Sequence, residues 1–276
     1  MPEPPAALAH KAPRELNLAA ALLALSVLAD SALEHYRGSF RNRAMYAPIG
    51  AAALALGASL AGMLDGRHAR HRPRDALYAL AAATGLAGFA FHAYNIGKRP
   101  GGLSWLNLFY AAPIGAPFAL TLSGLFGRGA ERARVPGARV LGMPLEEALA
   151  GLAAAGLAGT VAEAALLHFR GAFHDPAMLL PVSVPPIAAG LLGTAALTAH
   201  PRLHRLARFG LRMTAALGFV GVGLHGYGLS RNMGGFRNLS QNLLNGPPLP
   251  APPAFTGLAV AGLAALALLE RRSARG

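Results

Sequence analysis

The chain has 276 residues, 54% of them hydrophobic and only 13% charged, and its mean hydropathy is +0.40. Soluble domains carry about 25% charged residues, so this composition favours a lipid bilayer as the main surroundings. The net charge of +13 comes almost wholly from arginine clusters between apolar runs, which is typical of loops at an anionic membrane surface and indicates no nucleic-acid partner. The absence of cysteine excludes disulfides, thiolate metal sites and haem attached through a C-x-x-C-H motif.

Long apolar runs along the chain predict an all-α integral membrane protein with eight transmembrane helices. Each run is near the ~20 residues that a helix needs to cross the hydrocarbon core, and helices satisfy their own backbone groups in lipid. The runs span residues 16–36, 45–64, 76–97, 103–126, 145–169, 177–198, 206–228 and 252–270.

Several motifs recur at a fixed offset of 133 residues, which indicates an internal duplication. The repeated blocks are HYRGSF at 35–40 and HFRGAF at 168–173, then HAY at 92–94 and HGY at 225–227, and the glycine pairs at 101–102 and 234–235. An even number of spans in each copy gives both copies the same orientation. The sequence therefore predicts two parallel four-helix repeats related by a pseudo-twofold axis along the membrane normal.

The repeat and the charge clusters also divide the chain into segments. We expect an N-terminal tail, a first four-helix repeat, an Arg/Gly-rich linker, a second four-helix repeat and a C-terminal tail, at 1–14, 15–127, 128–142, 143–270 and 271–276. Most Lys and Arg residues fall on the side of the N-terminus, so both termini are predicted to be cytoplasmic. The expected location is a bacterial-type inner membrane, with the repeated motifs at the outer, periplasmic face.

Four repeated histidines are the main candidates for chemistry. His35, His92, His168 and His225 each lie at the outer end of a predicted span. Neutral imidazole is a common metal ligand, and paired histidines on neighbouring helices can hold haem iron. We therefore predict haem b or a His/carboxylate-bound transition metal, against the alternatives that these histidines only support helix packing and that no cofactor binds.

Small residues and tyrosines accompany the repeated histidines. Gly85 and Gly88 precede His92 by seven and four residues, and Gly218 and Gly221 precede His225 in the same way. These positions share a helix face and leave room either for a flat cofactor or for a second helix. A ligating histidine usually donates its other N–H to an acceptor, and Tyr94 and Tyr227 are candidates for that second-shell position.

Acidic residues also recur inside the apolar runs. Asp30 corresponds to Glu163 at the same offset, and ionisable groups within a membrane span are costly and often functional. Asp30 shares a helix face with Glu34. We expect these acids to relay protons, to ligate a metal or to pair with Arg37 and Arg170. Those two arginines are alternatively sites for a partner or an anionic headgroup.

The loops after the first span of each half predict local geometry. Gly38 and Gly171 stand where helices commonly end with glycine at positive φ. Asn42 and Asp175 are expected to cap the helices that follow.

Three functions fit this sequence. The first is a metal- or haem-binding redox subunit that passes electrons between a periplasmic partner and quinone. The second is a proton-coupled transporter or channel that uses Asp30 and Glu163. The third is a membrane scaffold or assembly factor without a cofactor. We find no phosphate loop, nucleophile elbow, HExxH or dinucleotide fingerprint in the sequence, so no reaction is assigned, and the oligomeric state is left open.

Overall fold

The computed structural model describes residues 5–67, 69–198 and 200–274 and is almost wholly helical. The first half contains four long helices and one short one. They are α1 Pro5–Arg37, α2 Ala47–Leu64, α3 Arg72–Gly97, α4 Trp105–Tyr110 and α5 Gly115–Arg132.

The second half begins with a small antiparallel hairpin and then contains the same succession of long and short helices. The hairpin strands are β1 Arg139–Val140 and β2 Met143–Pro144. The helices are α6 Leu145–Arg170, α7 Leu180–Leu197, α8 Pro201–Arg231, α9 Leu239–Asn245 and α10 Pro253–Ser273.

Six segments in the described part of the chain are long and apolar enough to cross a membrane. They are Lys11–Arg37, Arg43–Leu64, Arg72–Gly97, Leu145–Arg170, Pro176–Leu197 and Pro253–Ser273. This count differs from the eight predicted spans, since α5 and α8 do not qualify. The predicted run 103–126 is interrupted before Gly115, and the resulting α5 ends with Arg128, Glu131 and Arg132. The first half of α8 carries four arginines, which lower its apolar character.

The long helices pack in the same pairwise pattern in both halves. In the first half α1 contacts α2 and α5, and α3 contacts α2 and α5. In the second half α6 contacts α7 and α10, and α8 contacts α7 and α10. The halves meet where α1 packs against α10 and α5 against α6. The central core is therefore built from α1, α5, α6 and α10.

Small residues allow these helices to approach closely. A Cβ atom at Gly257 of α10 would lie 3.1 Å from the carbonyl oxygen of Ala19 on α1, and one at Gly124 of α5 would lie 2.5 Å from the backbone nitrogen of Ala82 on α3. Glycine at such contacts is typical of helix packing in membranes, where backbones approach each other. Large apolar side chains such as Ile187 and Phe219 instead remain 65% and 68% exposed, which suits a surface that faces lipid.

The turn after α1 corrects one expectation. Gly38 and Gly171 do not adopt positive φ. Ser39 and Phe40 do so instead, at 56° and 45°. A Cβ atom at position 38 would lie 3.0 Å from Cε of Met45, so the end of that side chain would have to move by a few tenths of an ångström.

The predicted caps are confirmed. Asn42 Oδ1 accepts a hydrogen bond from the Ala44 N–H at 2.9 Å, and Asp175 Oδ1 accepts one from the Ala177 N–H at 2.8 Å. Each cap opens a single 3₁₀ turn, Arg43–Tyr46 or Pro176–Leu179, which runs directly into α2 or α7.

Candidate functional site: histidine pairs at one end of the helices

The first histidine of each half joins the end of one helix to the start of the next. His35 Nδ1 lies 2.6 Å from the carbonyl oxygen of Met45, and His168 Nδ1 lies 2.9 Å from that of Met178. Both carbonyls belong to the short turns before α2 and α7. Both histidines are half-buried.

The second histidine of each half contacts the segment that leads into the last long helix. His92 Nδ1 lies 2.5 Å from the carbonyl oxygen of Pro113, and His225 Nδ1 lies 2.7 Å from that of Pro248. Four histidines thus make one kind of contact. We call the end of the helices that carries His35, His92, His168 and His225 the histidine end.

These contacts determine which ring nitrogen carries the proton of a neutral imidazole. A carbonyl oxygen only accepts hydrogen bonds, so each Nδ1 must donate. Nε2 is then the nitrogen with a free lone pair. This is the arrangement in which metal-ligating histidines are usually held, with the distal N–H given to a backbone carbonyl or a carboxylate.

The structure brings the histidines together within each half. His92 interacts electrostatically with His35, and His225 with His168. Across residues 5–67, 69–198 and 200–274, no three His or acidic side chains are grouped so that they could hold a metal ion. On these interactions the four histidines fall into two groups, one in each half.

The glycine faces of α3 and α8 are covered by a second helix. A Cβ atom at Gly85 would lie 2.6 Å from the carbonyl oxygen of Pro117 on α5. One at Gly218 would lie 2.9 Å from that of Pro252, directly before α10, and 3.0 Å from the backbone nitrogen of Thr256 on α10. Gly88 and Gly221 face the same two prolines. The sequence left open whether these glycines make room for a flat cofactor or for a second helix. In the structure a second helix packs against them.

Tyr94 and Tyr227 are not the hydrogen-bond partners of the histidine Nδ1 atoms. Lys98 Nζ lies 5.0 Å from the centre of the Tyr94 ring, and Arg231 donates a hydrogen bond to Tyr227 Oη at 3.0 Å. Both tyrosines are more than half exposed. Backbone carbonyls occupy the position that the sequence assigned to these side chains.

Asp30 and Glu163 come from different halves and interact electrostatically. Glu163 Oε1 accepts a hydrogen bond from the backbone N–H of Gly115 at 3.0 Å, at the first residue of α5. Both acids are half-buried. Each lies five residues before the first histidine of its half, on α1 and α6.

The arginines expected to neutralise these acids have other closest partners. Arg37 Nη1 lies 2.6 Å from Oε1 of Glu34 and reaches Asp30 only through longer-range attraction. The guanidinium of Arg170 lies 5.2 Å from the centre of the Tyr110 ring. The pairing of Arg37 or Arg170 with the repeated acids is thus not found as a direct contact.

A buried ionic cluster at the opposite end of the helices was missed by the sequence analysis. Glu131 is fully buried and accepts hydrogen bonds from Arg74 Nε and from the His71 backbone N–H, each at 2.8 Å. Arg74 Nη2 also donates to Asp65 Oδ2 at 2.7 Å. We call this end, with Arg67, Arg74, Arg134, Arg139 and Arg272, the arginine end.

Asp65 is the most strongly perturbed group in that cluster. The Arg67 backbone N–H donates to Oδ1 at 3.0 Å, and Arg74 and Arg134 add positive charge nearby. Together they overcome burial and lower the pKa of Asp65 to about 2. One signal for the cluster was available in the sequence, since Glu131 is the one acid in the Arg/Gly-rich segment 128–142.

Comparison of the chain with protein-family models, with curated proteins and with solved structures found no match. Function is therefore inferred from the chain's own side chains.

Proposed function

We propose that this chain is a multi-pass protein of a bacterial-type inner membrane in which each half binds one haem b through its own histidine pair. All eight long helices span the bilayer in this proposal, as two parallel four-helix halves with both termini in the cytoplasm. The histidine end then faces the periplasm.

Exposure supports spanning by α5 and α8 despite their charged ends. Phe209, Phe219 and Val220 on α8 are all more than half exposed, which suits lipid rather than water. In contrast, α5 is enclosed by α1, α3 and α6, so it needs little apolar surface of its own. Its Glu131 is paired within the protein, as charged groups at membrane depth usually are.

The observation that carries haem binding is the fourfold contact of Nδ1 with a backbone carbonyl. It leaves Nε2 free on two histidines in each half, and the two imidazoles of a half interact with each other. Two axial imidazoles complete the coordination of haem iron, whereas a structural zinc site takes four protein ligands. A pair without a third nearby ligand therefore favours haem over a bare metal ion.

The position of the pairs suggests a redox role. Haem at the histidine end would lie near the periplasmic surface, within reach of a periplasmic electron-transfer partner, and quinone in the bilayer would be the other partner. Haem itself supplies the electron chemistry. The protein residues bind it, orient the imidazoles through the carbonyl contacts and exclude water with the flanking helices.

The absorption spectrum of the purified full-length protein tests this proposal, together with haem and metal analysis. Protein from haem-replete cells should show the bands of a six-coordinate b-type haem. His92→Ala should remove the haem of the first half and His225→Ala that of the second, so each variant should retain about half of the haem. His174→Ala is the matched control, since His174 is exposed and its Nδ1 contacts only the neighbouring Gly171 carbonyl.

Two outcomes would overturn haem binding. Colourless protein that contains a transition metal lost in both His variants would assign a bare metal ion to the pairs. Colourless and metal-free protein, in which the His variants alter only stability, would assign the histidines to structure and leave the chain a scaffold or assembly factor.

Proton-coupled transport is the second candidate, because Asp30 and Glu163 belong to opposite halves and the negative charge of Glu163 acts on Asp30. Carrier sites commonly lie between repeats, and a proton bound at this pair would couple to rearrangement of the halves. Proton flux into proteoliposomes, driven by a potassium diffusion potential and followed with an internal pH dye, tests this function. Flux should be lost in Asp30→Asn and Glu163→Gln and retained in Glu147→Gln, which removes an acid paired with Arg272 at the opposite end of the helices. Flux equal to that of empty liposomes would reject this candidate.

A further inference from the structure

A cavity of 440 Å³ opens at the arginine end, where the two halves are joined. Its walls come from the segment after α5, the start of α6, the end of α10 and the start of α1. Five arginines and one acid are among the residues that line it, namely Arg67, Arg134, Arg139, Arg271, Arg272 and Glu146. The cavity is distinct from the histidine pairs, which lie at the other end of the helices.

The arginines around this cavity are unevenly paired with acids. Arg272 contacts Glu147 Oε1 at 2.5 Å and Glu146 Oε1 at 3.3 Å. Arg67 is 74% exposed and lies 3.8 Å from Asp65, an acid that also pairs with Arg74. Arg139 donates to the carbonyl oxygen of Gly142, and no acid within the described residues pairs with it.

Arg134 adds a buried positive charge with an unused donor. Its side chain is only 2% exposed, and Nη1 and Nη2 donate to backbone carbonyls at the end of α2 and beyond it. Its Nε has no hydrogen-bond partner within the described residues, and the nearest acid is Glu131 Oε2 at 3.6 Å. The Arg134 guanidinium thus places a buried positive charge in the cavity wall.

Converging arginines in a concave site are typical of phosphate recognition, because the guanidinium fork matches two phosphate oxygens. The first turn of α6 also lies in the cavity wall, where Glu146 offsets part of the positive charge. In a membrane protein, phosphate at such an interfacial depth is available both from lipid headgroups and from solution.

We propose that this cavity binds a phosphate group, of an anionic phospholipid headgroup or of a soluble phosphate compound, through Arg67, Arg139 and Arg272. The bound phosphate connects the linker between the halves with the end of α10. A phosphate that binds only to the folded protein therefore raises the free energy of unfolding, and it does so at the joint between the two halves.

Thermal unfolding of the delipidated full-length protein in a neutral detergent tests the proposal. Cardiolipin, phosphatidylglycerol, phosphatidylcholine and inorganic phosphate are each titrated while the midpoint of unfolding is followed. Anionic lipid or phosphate should raise the midpoint in a saturable manner, and phosphatidylcholine should not. A shift with anionic lipids alone assigns the headgroup, whereas the same shift with inorganic phosphate assigns the soluble source.

A triple variant tests the arginines, namely Arg67→Gln/Arg139→Gln/Arg272→Gln. It should raise the ligand concentration at half-saturation about tenfold or more, which is equivalent to about 1.4 kcal/mol of binding free energy. The control Arg41→Gln/Arg43→Gln/Arg237→Gln removes the same charge from exposed positions of the opposite end and should bind as the wild type does. Arg139→Gln alone, at an exposed position, provides a second variant if the triple variant does not fold. Absence of any shift, or equal loss in the cavity and control variants, would overturn the proposal.

Discussion

Glu163 on α6 accepts a hydrogen bond from the backbone N–H of Gly115 at 3.0 Å. A carboxylate of one half therefore satisfies the first residue of a helix in the other half, where the helix dipole favours negative charge. The residue at the start of α5 must be glycine for this contact, because a Cβ atom at Gly115 would lie 2.5 Å from Glu163 Oε1 and closer still to Oε2.

Loss of that carboxylate should destabilise the interface between the halves. We expect Glu163→Ala to lower the free energy of unfolding by about 1.5–3 kcal/mol, since a hydrogen bond to a charged group is removed. Glu163→Gln keeps an amide oxygen that accepts the same N–H and should cost less. Reversible unfolding in detergent measures both. Glu34→Ala is the control, because its exposed pair with Arg37 contributes about 1 kcal/mol or less. Equal losses for Glu163→Ala and Glu34→Ala would contradict the interface role.

Helix packing at Gly85 and Gly218 leads to a second prediction. Gly85→Ala and Gly218→Ala should each cost about 1–3 kcal/mol, because a Cβ atom at either site overlaps the backbone of α5 or α10. Gly57→Ala on α2 meets no atom within 4 Å and should be neutral or slightly stabilising, since alanine is the better helix former. Unfolding midpoints of the three variants in one detergent make the comparison. Unchanged stability in Gly85→Ala would mean that α5 does not pack there.

Local signals in the sequence predicted the helices, their caps and the residues at the histidine end. Asn42 and Asp175 cap as expected because capping depends on neighbours a few residues away. The two short helices were not predicted, since α4 lies inside the apolar run 103–126 and α9 lies in the polar loop between the runs 206–228 and 252–270. The predicted tyrosine partners of the histidines were wrong for a physical reason. Every residue has a backbone carbonyl, so the residue types do not show which carbonyl accepts a hydrogen bond from a histidine.

The sequence also did not predict which distant residues form contacts with each other. Arg74 and Glu131 form a direct hydrogen bond although they are 57 positions apart in the sequence. Nothing in the residue types predicts that these two side chains pair. The repeat even obscured this cluster, because the second half does not contain it. Arg74 corresponds to Ala207 at the offset of 133. The loop before the last helix is two residues longer in the second half, so the offset there is 135 and Glu131 corresponds to Leu266.

The low pKa of Asp65 leads to a prediction about pH. Its folded-state pKa, about 2, lies below its ordinary value of 3.8, so the folded state binds this proton less tightly than the unfolded state. Asp65 therefore stabilises the fold fully above about pH 4, and this stabilisation is lost as the pH falls towards about 2. Wild type and Asp65→Asn should differ most in unfolding free energy near neutral pH and converge between pH 4 and 2. A constant difference across that range would show that the charge of Asp65 is not what stabilises the arginine end.

The buried ionic cluster itself can be tested by giving the first half the residues of the second. Glu131→Leu alone leaves Arg74 and Arg134 without their shared acid, and removing one partner of a buried pair typically costs about 3–5 kcal/mol. Glu131→Leu combined with Arg74→Ala and Arg134→Leu reproduces Leu266, Ala207 and Leu269, which occupy the corresponding places in the second half. The triple variant should recover a large part of the loss, because an apolar cluster replaces the charges instead of stranding them. Unfolding free energies of the single and triple variants decide this, and a triple variant less stable than Glu131→Leu would show that the arginines stabilise this end independently of Glu131.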